Sequence, residues 1–155
     1  MRCGGRAWRH VTRIYEQNRQ ISQTLSVPAD QTAQAVCAQT QALAEQKRLC
    51  AELQTKLFHL TAESYRGHGN VLHVDTALTA GQTRELAQLI GSVCGGYAVV
   101  LGGEEGSFHV CIAAQTEDPA EIGRKLGARG GGRNGFYQGR LCCTLQQARA
   151  RLEMP

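Results

Sequence analysis

No uninterrupted apolar run of the 155-residue chain comes near the length needed to cross a bilayer; the run at residues 97–101 covers only a fraction of it. The N-terminus has arginines but no apolar stretch behind them, so it does not read as a secretory leader. No C-x-x-C pair occurs among the seven cysteines, which argues against a structural zinc knot or a thioredoxin-like redox pair. An odd number of cysteines without a disulfide pattern fits a reducing compartment, so a soluble cytoplasmic protein without membrane attachment is expected. Adjacent Cys142 and Cys143 would face opposite ways on a strand and are read as packing residues.

Charge is also missing in a patterned way. Residues 70–121 hold one basic side chain, Arg84, against seven acidic ones, whereas residues 122–151 hold seven basic and no acidic ones. The first 25 residues add five arginines against Glu16, and residues 26–69 balance at four of each sign. The net charge of +4 therefore conceals two cationic regions, a distribution suited to a polyanion such as RNA or DNA. A solvated charged surface is the plainer reading of the same pattern.

What is abundant is glycine, concentrated at residues 127–139, G-A-R-G-G-G-R-N-G-F-Y-Q-G. Consecutive glycines let main-chain N–H groups turn toward one point, and Arg129 and Arg133 flank them, so a phosphate-binding nest is expected here. A loop that merely needs positive φ is the alternative.

The remaining pattern divides the chain in two. Ala7, Val11, Ile14, Asn18, Ile21 and Leu25 follow a 4-3-4-3-4 spacing and predict one stripe of an amphipathic helix, with Asn18 its polar exception. Arg2, Arg6, Arg9 and Arg13 share another face. Residues 26–29 break the pattern, and Pro28 with Asp30 suits the first turn of a second helix. That helix carries Val36, Leu43, Cys50 and Leu57 at intervals of seven, joined by Leu53 and Leu60, and runs without glycine or proline to Ser64. The expectation is a long antiparallel helical hairpin over residues 1–66 with an apolar seam.

Residues 70–155 should form a small mixed α/β domain. Strands are expected at 71–76, 97–101, 108–114 and 140–144, and helices at 83–90, 119–126 and 145–152. Glycines at 102–106 predict a hairpin between the second and third strands, and Asp118, Pro119 and Gly127 mark the ends of the middle helix.

The glycine-rich run and the elements before it resemble the DHH-associated domain shared by alanyl-tRNA synthetases, alanyl-tRNA editing hydrolases and DHH phosphoesterases, whose signature reads G-G-x-G-G-G-R-P-D-x-A-Q-G-G. Gly127, Gly130, Gly131, Gly132, Arg133, Gln138 and Gly139 match it; Ala128, Asn134, Gly135 and Tyr137 depart from it. Cys3-Gly4-Gly5-Arg6-Ala7 resembles the exit from the editing domain of stand-alone alanyl-tRNA editing hydrolases. The resemblance implies a helical hairpin and C-terminal module without the zinc-dependent editing domain. Its H-x-x-x-H pair has no counterpart among His10, His59, His68, His73 and His109, and no D-H-H motif occurs. Catalytic residues, metal ligands and cofactors are accordingly not expected in this chain, zinc belonging to the missing domain. Met1 would be either an internal residue of a longer protein or the start of a degenerate relative.

On that resemblance the chain is an accessory module that binds RNA, with tRNA as partner. Its contacts would come from Lys125, Arg129, Gly130, Gly131, Gly132, Arg133, Gln138 and Arg140, with Phe136 or Tyr137 able to stack on a base. Two alternatives stand beside it: a dimerisation element pairing copies through the hairpin, and part of a full alanyl-tRNA deacylase.

Overall fold

A computed structural model describes residues 4–152. Arg2 and Cys3, which carry part of the sequence expectations, lie outside them. Two N-terminal helices, α1 (Gly4–Leu25) and α2 (Thr32–Ser64), precede a five-stranded mixed sheet with three further helices, an α+β fold. The chain divides into two compact units between Leu53 and Gln54, a division that falls within α2.

In the first unit, Asn18 shows why the apolar stripe has a polar exception. Its Nδ2 donates to the Ala29 carbonyl at 3.0 Å, and its Oδ1 accepts from the Thr32 hydroxyl at 2.6 Å, so one amide ties the corner after α1 to the start of α2. Ser26 takes a left-handed φ of +52°, and the Gln31 N–H closes a turn on the Pro28 carbonyl at 3.0 Å. Pro28 and Asp30 thus belong to that turn, and α2 begins later than their chemistry predicts. The stripe itself is uncovered: no described residue of α1 is buried, and Val11, Ile14, Ile21, Val36 and Leu43 all remain exposed. The seam expected between the helices is not sealed.

The second unit is built on the sheet order β1-β2-β3-β5-β4. Its strands are β1 (Val71–Asp75), β2 (Tyr97–Gly102), β3 (Phe108–Ala114), β4 (Arg129–Arg133) and β5 (Phe136–Leu141). Strand β1 runs parallel to β2, a pairing that needs a crossover, which α3 (Ala80–Val93) supplies. The other pairings are antiparallel. The β2–β3 hairpin turns through Gly103 and Gly106, at φ of +89° and +88°, as the glycine cluster predicts.

Strand β2 is buried on both faces, so its sequence Y-A-V-V-L-G lacks the polar alternation of a half-exposed strand. On one face Ala98, Val100 and Cys111 pack with Leu86, Ala87 and Ile90 of α3 and with Phe58 and Ala62 of α2. On the other, Val99, Leu101, Phe108, Val110, Ile112 and Tyr137 pack with Ile122 and Leu126 of α4 (Pro119–Leu126) and Ala148 of α5 (Leu145–Arg151).

Helix boundaries follow their caps. Asp118 accepts from the Ala120 N–H, Pro119 occupies the first turn, and Gly127 ends α4 at φ +77°. Helix α3 starts earlier than the apolar spacing predicts because Thr79 and Gln82 form a reciprocal capping box, a T-x-x-Q signal in the sequence. The same device opens α5 at Thr144 and Gln147.

Candidate nucleic-acid interface

The glycine-rich run is a strand rather than an open loop, and this corrects the expected nest. In the β4–β5 register Arg129 faces Arg140, Gly130 faces Gly139, Gly131 faces Gln138, Gly132 faces Tyr137 and Arg133 faces Phe136. Antiparallel pairing sends alternate N–H groups to the partner strand, so successive amides of 130–132 do not converge on one point. The turn between the strands is Asn134-Gly135, both at positive φ (+52° and +74°), the N-G pair favoured in two-residue hairpins.

The glycines have a different physical reason. A Cβ at Gly132 would overlap the Phe136 carbonyl oxygen, and one at Gly130 would overlap that of Gln138. At Gly139 it would come within 2.5 Å of the Arg129 carbonyl oxygen. Only at Gly131, between them, does added carbon meet nothing within 4 Å. Close approach of two main chains, not capture of an anion by amides, requires glycine at 130, 132 and 139.

Pairing nevertheless assembles a cationic surface. Residues directly opposite in an antiparallel pair point to the same face, and alternate residues of a strand share it. Arg129, Gly131 and Arg133 of β4 therefore lie on one face with Arg140, Gln138 and Phe136 of β5. On that side α3 packs over β2 and β3, Gly91 admitting the Ala113 methyl, for a Cβ there would lie 2.6 Å from it. Beyond α3, Arg129, Arg133, Gln138 and Arg140 are exposed. The step from helix to uncovered ribbon makes a groove of about 530 Å³.

Helix α3 supplies one wall through Arg84 and Gln88, one turn apart. The Arg84 guanidinium carbon sits 5.3 Å from the centre of the Phe136 ring, within cation–π range. Among the described residues, Arg84, Arg129, Arg133 and Arg140 have no carboxylate within 4.0 Å, whereas Arg19, Arg48, Arg66 and Arg124 each pair with one nearby in sequence. Arg129 and Arg140 also stand directly opposite each other, and like charges so placed destabilise a strand pair. An anion lying between them would remove that penalty.

Beneath the groove, burial pushes the Cys111 thiol up to about 11, the nearby Arg84 charge offsetting only part of it. This thiol is a packing group and a poor nucleophile at neutral pH. Buried Cys143 is likewise raised, first by desolvation.

The expected site residues do not all meet. Gly131, Gly132, Arg133 and Gln138 line the groove, and Arg129 and Arg140 continue its face. Gly130 is in the same strand but on the face turned to α4. Lys125 belongs to a separate depression with Asn70, Tyr97, Glu117 and Arg151. Of the two aromatics, Phe136 lines the groove, while Tyr137 is buried under α4 with its hydroxyl donating to the Ala128 carbonyl at 3.0 Å. Sequence reasoning passed over Arg84, Gln88 and Asn134. Arg84 carried one visible signal, being the lone cation of an acidic stretch, but its partners are some fifty residues further along the chain.

Among the described residues no group of three histidine, cysteine or acidic side chains is placed to hold a metal ion. No described helix is long and apolar enough to cross a membrane.

No family model matches the chain, and no curated protein does either. Among solved structures, the C-Ala domain of alanyl-tRNA synthetase from Aquifex aeolicus is similar to it at 16% identity and a TM-score of 0.40, over 55% of this chain and 86% of that one. A likeness of that size assigns neither family nor function.

Proposed function

We propose that this chain is an RNA-binding accessory module whose contact surface is the arginine face of the β4–β5 ribbon, with no catalytic step of its own. The carrying observation is the gathering of Arg84, Arg129, Arg133 and Arg140 on one uncovered face, without carboxylate partners among the described residues. Guanidinium groups match phosphate oxygens in bidentate geometry, and their spread along two strands suits a polymer better than an isolated anion. Anchoring comes from side chains here, since the main-chain amides of 130–132 alternate between β5 and the open edge of β4 and so do not converge on one anion. The sequence resemblance to alanyl-tRNA editing proteins makes tRNA the preferred RNA, with any deacylase activity residing in a separate zinc-bearing domain.

An Arg129→Ala/Arg133→Ala chain should bind RNA more weakly than the unmodified one. The slope of log affinity against log salt should fall by about 0.7 for each single-strand phosphate that the protein no longer neutralises. Fluorescence anisotropy with labelled tRNA across a salt series measures both. An unchanged affinity and slope would remove the ribbon as the site.

A second reading is favoured by the first unit. Trp8, Val11, Ile14 and Tyr15 of α1 and Val36, Leu43 and Leu49 of α2 are large apolar side chains left exposed. Self-association through these helices would cover them. Sedimentation equilibrium should then give a dimer that dissociates on Ile14→Glu substitution, with or without RNA; a monomer at all concentrations would end this reading.

A further inference from the structure

The groove beside the ribbon contains chemistry that phosphates do not use. Gln88, Asn134 and Gln138 all line it, and among the described residues none of their side-chain amides has a hydrogen-bond partner. An amide both donates and accepts, whereas a phosphodiester only accepts, so on an RNA backbone the carbonyl half of each amide could pair only with a ribose 2′-hydroxyl. The edges of nucleobases carry donors and acceptors side by side, the pattern that Asn and Gln side chains match. Arg84 adds a flat cationic surface, held beside the Phe136 ring at 5.3 Å, and guanidinium planes are stacking partners for unstacked bases. The groove, at about 530 Å³, is in the size range of small-ligand sites and too small for a duplex. In paired A-form RNA the base edges of the deep groove are out of reach, while a single strand can splay a base outward.

We infer that the groove takes one unpaired nucleotide of the bound RNA. Its base lies against Arg84 with its edge toward Gln88 and Gln138, and its neighbouring phosphates lie on Arg129, Arg133 and Arg140. This rests on the RNA-binding reading above and assigns to the same surface a preference for single-stranded segments.

The test compares labelled probes on the full chain: a single-stranded RNA octamer, an abasic ribose-phosphate octamer of equal charge, and a blunt RNA duplex set against a single strand of the same phosphate number. The octamer should bind about tenfold or more tighter than its abasic counterpart, since one stacked base contributes on that order. A Gln88→Ala/Gln138→Ala chain, altered only at exposed side chains, should narrow that preference to about threefold, the share kept by stacking on Arg84, while leaving the salt slope of the abasic probe unchanged. Equal affinity for the natural and abasic octamers would overturn the nucleotide subsite and leave RNA binding through phosphates standing. A duplex bound as tightly as the single strand would do the same. Failure of every probe to bind would overturn the RNA reading and the subsite with it.

Discussion

Gly132→Val is expected to part β4 from β5 and to abolish most RNA binding with it. The new Cβ would overlap the Phe136 carbonyl oxygen and crowd the Tyr137 Cα, both of them main-chain atoms that no rotamer change moves aside. Overpacking of this kind costs about 1–3 kcal/mol, and here the strain is relieved only by separating the strands. Arg129 and Arg133 lie on the separated strand, so the cationic face would disperse. Gly131→Ala is the matched control. Its side chain would enter open space, and its effect on stability should stay within about 0.5 kcal/mol. Urea unfolding with amide exchange of residues 129–141 distinguishes the two. Equal behaviour of both variants would contradict the strand pairing.

Phe108→Ala should cost the second unit about 3–5 kcal/mol, the range for removing a buried aromatic side chain. Phe108 is 1% exposed and lies in the cluster with Leu101, Val110 and Leu141, where β3 meets β5, the strand that carries the ribbon. Domains of this size hold only about 5–15 kcal/mol in total, so a large part of the unit's stability would go. Leu57→Ala, on α2, removes an equally apolar but 61% exposed side chain and should cost little. Urea denaturation followed by circular dichroism reads both; similar midpoint shifts would mean that the core lies elsewhere. Arg133→Ala, by contrast, should lower RNA affinity without moving the midpoint, because Arg133 is exposed and unpaired by any carboxylate among the described residues.

The elements legible in the sequence are those whose cause is local. Asp118, Pro119 and Gly127 bound α4 because an N-cap, a first-turn proline and a left-handed glycine act within a few residues of chain. Strand β3 is legible because turn glycines precede a compact apolar run. The start of α2 is misplaced by the same local reasoning: Pro28 and Asp30 satisfy the chemistry of a helix start but serve equally in the turn that Asn18 and Thr32 fasten. The apolar stripe of α1 predicts a helix correctly and a sealed seam incorrectly, since periodicity states which side is apolar and not what covers it.

By itself the sequence determined the α+β class, the order of elements as far as α4, the final helix, the cationic C-terminal block and the concentration of glycine between α4 and α5; the strand expected at 140–144 is instead β5 at Phe136–Leu141, and β4 was not expected. Whether those glycines would form a nest or a strand was decided only by tertiary structure. Glycine permits both, and the choice depends on β5 being held between β3 and β4 with its carbonyls pressed against the glycine Cα atoms. The placing of Arg84 was likewise a tertiary decision, since it requires α3 to stop short of the ribbon so that a helix residue and strand residues some fifty positions apart border one groove.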